Sequence, residues 1–306
     1  MKKRFFPIVL SAAILLAGCS AGTNIQSGTT LTASDAAATI AAETAATTTA
    51  VTTTATTTAV TTTATTTIAI TPLLPLTENT SGKVQIQTVS GSKIYKFNSY
   101  IITSAEGETI IVDPTAMPLK AEVDLNPAAI ISTHMHPDHT DTVYTDSYDC
   151  QKIISEKADI KTRDFHIYSI PASHSGNTIS EKAATNYMVV FEVDGLRIVH
   201  MGDLGQTVLT DDQLKQLGDI DIAFTQFDNV YSSMNLKNMK GFNLIEQLNP
   251  KIIIPTHYAD LDLPVFVEKY GPITDVENVL TISKADIPAD ALHVYRISNG
   301  HVYSND

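Results

Sequence analysis

The sequence predicts an α/β fold for residues 81–306, a four-layer αββα sandwich in which two sheets lie between layers of helices. Three observations support this fold class. Short β-rich runs recur along these 226 positions, segments with helical apolar spacing lie between some of them, and the length suffices for one sizeable hydrophobic core. We therefore expect one α/β domain in this part of the chain.

The predicted strands are short runs rich in Val, Ile, Tyr and Thr, which favour a pleated backbone. These runs are Val84–Val89, Tyr100–Thr103, Thr109–Val112, Ala128–Ser132, Gln151–Ile154, Phe165–Ile170, Tyr187–Glu192, Leu196–His200, Ile220–Ala223 and Lys251–Ile254. Helices are predicted where apolar spacing lengthens and Asp or Asn can cap, over Asp211–Leu217, Lys240–Leu248 and Pro264–Lys269.

Residues 1–18 are predicted to be a lipoprotein signal peptide. Three basic residues at positions 2–4 precede the apolar segment 5–16, which is too short to span a bilayer. The segment 16–19, Leu-Ala-Gly-Cys, resembles the cleavage box of bacterial lipoproteins, which implies cleavage before Cys19 and lipidation of that residue. An ordinary secretory signal with an incidental cysteine is the alternative. We expect an extracytoplasmic protein held at a bacterial membrane by its acyl chains.

Residues 19–80 are predicted to be a disordered tether. Thr and Ala dominate this segment, and one nonamer occurs at 50–58 and again at 59–67. Short side chains without large apolar partners cannot offset the entropy lost on ordering, and two copies of a repeat are too few for a solenoid. The tether would connect the lipid to the domain.

A dense cluster of metal-binding residue types directly follows the predicted strand Ala128–Ser132. His134, His136, Asp138 and His139 form an H-x-H-x-D-H pattern. Imidazole nitrogen and carboxylate oxygen suit a cation such as zinc. Two histidines two positions apart on an extended segment project to one side, and the next ligands reach the neighbouring volume, so one loop can supply two ions. A polar loop that happens to be rich in histidine is the alternative.

Three further candidates follow other predicted strands. His174 comes after the strand Phe165–Ile170, and His257 lies just beyond Lys251–Ile254. Asp203 follows Gly202 at the end of a third strand, where glycine permits a tight turn that presents the carboxylate. A carboxylate has two oxygens and can therefore bridge two cations. The sequence thus offers ligands from four strand ends.

From about residue 81 to about residue 260, this order of motifs resembles the metallo-β-lactamase superfamily. The implied ligands are a first triad of His134, His136 and His174, a second triad of Asp138, His139 and His257, and a bridging Asp203. The resemblance also implies that Asp113, at the end of the strand Thr109–Val112, orients a ligand imidazole from outside the metal shell.

The resemblance implies a metal-dependent hydrolase acting on an ester, lactone or phosphodiester. True β-lactamases lack a bridging aspartate at the position of Asp203, so antibiotic hydrolysis is a minor alternative. The stretches 186–203 and 255–258 look more like those of sugar-phosphate lactonases and phosphodiesterases. Where many members carry Pro-Ile-Gly-Gly, this chain departs from the pattern and reads Thr-Gln-Phe-Asp-Asn at 225–229.

We expect two divalent cations, with zinc favoured over manganese or iron. They would lower the pKa of water from about 16 to about 7 and hold a bridging hydroxide as the nucleophile. Asp138 is the catalytic candidate for proton transfer. Two alternatives remain open, which are an iron-dependent oxidoreductase of the same fold and a non-catalytic metal-binding lipoprotein.

The net charge of the domain indicates which partners it can bind, and the cysteine and histidines outside the motifs have no predicted role. Residues 81–306 carry 17 Lys and Arg against 30 Asp and Glu, so nucleic acid would be repelled and a small-molecule substrate is expected. If Cys19 is lipidated, Cys150 has no partner for an internal disulfide. The histidines outside the motifs, which we expect not to bind metal, are His166, His200, His293 and His301.

The lipid anchor predicts that Cys19→Ala will move the protein out of the membrane fraction. Acyl chains buried in the bilayer provide the attachment, and alanine cannot be acylated. Fractionating cells that express the full chain tests this, with Cys150→Ala as the matched control that should leave the distribution unchanged. Equal membrane association of Cys19→Ala and wild type would contradict the anchor.

Overall fold

The computed structural model describes residues 79–88, 90, 99–121 and 123–298. All of them belong to one compact unit, 67–306. The predicted signal peptide, Cys19, almost all of the tether, and His301 lie outside these residues. Within the described ranges, no helix combines the length and the apolar character that a membrane span requires.

The described residues form fourteen strands, four α-helices and one 3-10 helix at Lys284–Asp286. The strands are β1 (Val84–Gln87), β2 (Tyr100–Thr103), β3 (Thr109–Val112), β4 (Ala129–Ser132), β5 (Gln151–Ile154), β6 (Asp159–Lys161), β7 (Phe165–Ala172), β8 (Asn186–Val193), β9 (Leu196–His200), β10 (Ile222–Thr225), β11 (Ile252–Pro255), β12 (Ile273–Glu277), β13 (Val279–Ile282) and β14 (His293–Ser298). The α-helices are α1 (Thr142–Asp146), α2 (Asp211–Leu217), α3 (Lys240–Leu248) and α4 (Leu263–Tyr270).

The predicted elements are confirmed, most of them to within two residues. β2, β3, β5, β9, α2 and α3 have the predicted bounds, and β10 begins two residues later than predicted. The sequence pattern missed α1, β6, β12, β13 and β14. β6 and β12 lie at the edge of a sheet and bury none of their residues fully, so they lack the apolar signal that identified the central strands.

Two sheets provide the frame. One has six strands in the order β13-β1-β2-β3-β4-β5, and the other has eight in the order β12-β14-β11-β10-β9-β8-β7-β6. β9, β10 and β11 are parallel, and β7 shares their direction because both β7 and β9 run antiparallel to β8. The carboxyl ends of β7, β9 and β11 therefore meet at one edge, and those of the parallel β3 and β4 meet at an edge of the other sheet.

Three apolar clusters fill the space between the layers. The largest joins the inner faces of the two sheets, where Ile102 and Ile131 of one sheet share a cluster with Phe191 and Phe224 of the other. A second cluster lies between the eight-stranded sheet and the helices α2, α3 and α4. The third covers the outer face of the six-stranded sheet with Tyr144 from α1 and nearby loop residues. This arrangement confirms the predicted mixed α/β fold with two sheets.

We predict that Phe266→Ala will destabilise the domain by about 3–5 kcal/mol because it leaves a cavity in the helix-side cluster. Phe266 is fully buried, with its ring centroid 4.4 Å from that of Phe227 and 5.3 Å from that of Phe242. Its neighbour Val267 is 49% exposed, so Val267→Ala serves as the control and should change stability by about 0.5 kcal/mol or less. Urea unfolding measures the stability of both variants. A midpoint for Phe266→Ala equal to that of Val267→Ala would contradict this packing.

Candidate metal centre

The candidate site is assembled by four loops, each following the carboxyl end of a strand. The loop after β4 carries the H-x-H-x-D-H motif, and the loop after β7 carries His174. Asp203 follows β9, and His257 follows β11. Although these residues are far apart in sequence, the structure brings all seven predicted side chains together in two groups that share Asp203.

The first group contains three imidazoles and one carboxylate oxygen. His134 Nε2 lies 3.1 Å from His136 Nδ1, and His174 Nε2 lies 3.3 Å from Asp203 Oδ2. His134 Nε2 is 3.7 Å from the same oxygen. His134 and Asp203 are buried, whereas His136 is exposed, so this group opens to solvent on the side of His136.

The second group is built around the other oxygen of the same carboxylate. Asp203 Oδ1 lies 3.3 Å from His139 Nε2 and 3.2 Å from His257 Nε2, and these two ring nitrogens are 3.1 Å apart. Asp138 Oδ2 completes the group at 3.7 Å from His139 Nε2 and 3.8 Å from His257 Nε2. Asp203 therefore directs one oxygen to each group.

The two groups fit divalent metal ions. A tetrahedral zinc site with Zn–N distances near 2.0–2.1 Å places its ligand atoms about 3.3 Å apart, close to the separations found here. His174 Nε2 and Asp203 Oδ1 are buried without a hydrogen-bond partner, which is costly for polar atoms unless a bound ion completes them. Histidine and carboxylate ligands suit zinc and also iron or manganese, so they fit a divalent metal without selecting one.

Electrostatics favour a neutral His134 and an ionised Asp203, as metal ligands require. Burial and the nearby His139 lower the pKa of His134 to about 2, so this imidazole stays neutral. Burial acts to raise the pKa of Asp203, but the nearby imidazoles of His139, His174 and His257 outweigh it and lower that pKa. An ionised Asp203 and a neutral His134 can both donate electron pairs to a cation.

Asp113 holds one of the ligand imidazoles from behind. This buried carboxylate lies 2.7 Å from His139 Nδ1 and can only accept a hydrogen bond there, so Nδ1 carries a proton and Nε2 is the nitrogen directed at the centre. Asp113 also accepts hydrogen bonds from the backbone N–H of Thr133 at 2.7 Å and from its hydroxyl at 2.8 Å. Asp113 thus occupies the orienting position that the family resemblance implies.

Tight backbone packing fixes the loop that carries Asp203. Gly202 has φ +56°, and a Cβ there would lie 2.8 Å from the side chain of Thr133. A Cβ on Gly205 would overlap the carbonyl group of His174, so the two ligand-bearing loops touch at this point. Asn186 Oδ1 accepts a hydrogen bond of 3.0 Å from the Asp203 N–H. The glycine-dependent turn predicted at Gly202 is confirmed by its positive φ.

The other histidines have different surroundings. His200 is buried, stacks on Phe224 with ring centroids 5.4 Å apart, and accepts a hydrogen bond at Nδ1 from the Gly202 N–H. His166 lies on β7 between the carboxylates of Glu192 and Asp159. Neither belongs to the two ligand groups, and His293 lies in β14.

The sequence alone missed several polar side chains that support the centre. Thr133, Asn186, Gln226, Asn229 and Ser232 are buried and hydrogen-bonded to site residues or to the loops that carry them. Their residue types are common in exposed loops, so nothing local distinguishes them. One sequence feature could have pointed to two of these residues. The segment 225–229, which departs from the family pattern, contains Gln226 and Asn229.

Comparisons with known proteins agree with the fold. A family model described as a β-lactamase superfamily domain matches residues 93–257. A candidate zinc-dependent hydrolase of the metallo-β-lactamase superfamily from Thermotoga maritima has a solved structure that is 20% identical, with a TM-score of 0.50 over 70% of this chain and 98% of that chain. No curated protein matches the sequence.

Two further solved structures are similar at lower TM-scores. A candidate metal-dependent hydrolase from Parabacteroides distasonis is 21% identical, with a TM-score of 0.42 over 57% of this chain and 84% of that chain. CmlA, a diiron β-hydroxylase from Streptomyces venezuelae, is 10% identical, with a TM-score of 0.42 over 66% of this chain and 54% of that chain. At these levels neither bears on the activity of this chain.

We predict that Asp113→Asn will weaken metal binding about 10- to 100-fold while the domain stays folded. An amide nitrogen facing His139 Nδ1 donates instead of accepting, which forces the ring proton onto Nε2, the atom directed at Asp203. Metal retained after dialysis measures the effect, and Asp124→Asn is the control because Asp124 is exposed. Retention at the wild-type level by Asp113→Asn would contradict the orienting role.

Proposed function

The chain belongs to the metallo-β-lactamase superfamily, and from this premise we propose that it is a hydrolase using two divalent metal ions, with an ester, lactone or phosphodiester as substrate. One observation carries the proposal. The two oxygens of Asp203 face two separate ligand groups, at 3.3 Å from His174 Nε2 and 3.2 Å from His257 Nε2. A shared carboxylate is what a pair of neighbouring ions requires.

The seven side chains would hold the ions as two triads joined by Asp203. Two bound divalent cations supply Lewis acidity, and they lower the pKa of water toward about 7. The ligands include only two carboxylates, Asp138 and Asp203, and Asp113 adds a third behind His139, so two divalent cations would leave the loaded site positive within an acidic domain. A local positive charge of this kind favours substrates that develop negative charge on oxygen.

Two features of the chain support a reaction at the outer side of the centre. His136 is exposed and Asp138 is half-buried, so a small substrate can reach this side. Asp203 is buried and held by Asn229, with Asn229 Nδ2 donating to Asp203 Oδ2 at 2.8 Å. Asp138 is therefore the carboxylate placed to take a proton from water and pass it to the leaving oxygen, while Asp203 stays a ligand.

We also propose that the domain works outside the cytoplasm, attached to a bacterial membrane through lipid on Cys19. The support is the Leu-Ala-Gly-Cys segment at 16–19 and the Thr/Ala-rich composition that follows it. The excess of acidic residues supports a small-molecule substrate over nucleic acid.

Asp203→Ala is expected to lose at least one metal ion and to reduce turnover by more than about 100-fold. This exceeds the loss of about 10- to 100-fold that is typical when a residue that only orients a metal ligand is removed. The zinc-loaded full chain would be assayed on panels of esters, lactones and phosphodiesters, with metal content measured in parallel. Asp290→Ala is the matched control because Asp290 is exposed and lies outside both ligand groups.

Three outcomes would contradict the proposed function. Full activity of Asp203→Ala with two retained ions would show that Asp203 does not bridge them. A coloured protein that retains iron and hydrolyses nothing on the panels would favour the oxidoreductase alternative. Zinc binding without any hydrolysis would favour a metal-binding lipoprotein.

A further inference from the structure

We propose that Asn229 is a positioning residue that fixes the orientation of the Asp203 carboxylate and thereby allows the first ligand group to hold its metal. The inference rests on the two-metal site proposed above and assigns a role within it. Asn229 belongs to neither ligand group, and it follows β10 in a loop that supplies no predicted ligand.

Every polar group of the Asn229 amide is used, which fixes its orientation. Nδ2 donates to Asp203 Oδ2 at 2.8 Å and to Gln226 Oε1 at 2.7 Å, and Oδ1 accepts from the Tyr231 N–H at 2.9 Å. A carboxylate oxygen cannot donate a hydrogen bond, so only the nitrogen end of the amide can face Asp203. Asn229 is buried, so water does not compete with this contact.

The loop around Asn229 holds the whole turn that carries Asp203. Gln226 Nε2 donates to the Leu204 carbonyl at 3.0 Å, and Ser232 Oγ donates to the Asp203 carbonyl at 3.2 Å. These bonds fix the backbone of the turn, but they leave the carboxylate free to rotate. Asn229 alone among the described residues of this loop bonds the carboxylate itself.

A buried lysine and two backbone amides hold the loop in place. Lys240 Nζ donates to the Gly205 carbonyl at 3.0 Å and to the Ser232 carbonyl at 2.6 Å. The N–H groups of Phe227 and Asp228 donate to the His257 carbonyl at 2.6 and 3.1 Å. The loop is therefore anchored to two of the ligand-bearing segments, and Asn229 has a rigid base from which to act.

The two ligand groups depend on Asp203 unequally. The second group has its own carboxylate, Asp138, whereas the first has three imidazoles and only Asp203 Oδ2 as an anionic ligand. Asn229 bonds Oδ2, and Oδ1 has no hydrogen-bond partner. If the carboxylate rotated so that both oxygens faced the second group, the first would lose its only negative charge. The amide of Asn229 opposes that rotation.

A turn-forming role for Asn229 must be separated from this positioning role. Asn229 also pairs with Met234 through two backbone hydrogen bonds and accepts from the Tyr231 N–H. Serine can accept the same backbone hydrogen bond in a turn, but its side chain is too short to reach Asp203. Asn229→Ser therefore keeps the turn and removes the donor, and Asn229→Ala removes both.

The test is a titration of the metal-free full-length chain with Co²⁺, whose visible absorption reports coordination, and with Zn²⁺ in competition with a chromophoric chelator. We expect wild type to bind two ions. Asn229→Ser and Asn229→Ala should each bind one ion with wild-type affinity and the second about 10- to 100-fold more weakly. Asn243→Ser, at an exposed position on α3, is the matched control and should behave as wild type.

Thermal melting of the metal-free proteins accompanies the titration. Two ions bound with wild-type affinity by Asn229→Ser would overturn the proposal, and so would equal weakening of both ions. If both variants lose the metal-free fold, the Asn229 amide is needed to form the turn, and this outcome would also overturn the proposal. The wild-type titration is completed before any variant is compared. If wild type binds fewer than two ions, the proposed two-metal function is wrong, whatever the role of Asn229.

Discussion

The site depends on one buried carboxylate whose two oxygens face in different directions. Asp203 Oδ2 faces the histidines of the first group, and Oδ1 faces His139 and His257 of the second. Taking a carboxylate out of water is costly unless charges and hydrogen bonds compensate for it. Here the surrounding imidazoles and Asn229 do so, and the same arrangement would give the two proposed cations a common ligand.

The fold supplies what one carboxylate cannot, which is a fixed set of partners from distant parts of the chain. Parallel strands end at the same edge of a sheet, so the loops after β7, β9 and β11 are neighbours although they are far apart in sequence. The other sheet contributes Asp113 after β3 and the motif after β4. Because strands are stiff and packed on both faces, the ligands are held by the core and not by loop conformation alone.

Polar side chains of no obvious importance complete the centre. Thr133 bonds both oxygens of Asp113, and Asn186 accepts from the Asp203 N–H. Gln226 bonds the backbone of the turn that carries Asp203, and Asn229 bonds the Asp203 carboxylate. A buried network in which each member has a partner restricts the ligands to one geometry, whereas a partly satisfied network would permit several. One fixed geometry of this kind is what the proposed pair of divalent ions would require.

The sequence by itself determined the fold class, the central strands, two helices to the residue, and the seven side chains that meet at the centre. It could do so because buried strands require apolar runs and because a metal requires particular donor atoms, and both are visible as residue types in order. Edge strands such as β12 were missed because their exposed positions carry no such requirement. The tertiary structure alone decided which oxygen of Asp203 faces which group and that Asn229 bonds that carboxylate, because hydrogen-bond partners separated by 26 residues leave no trace in local spacing.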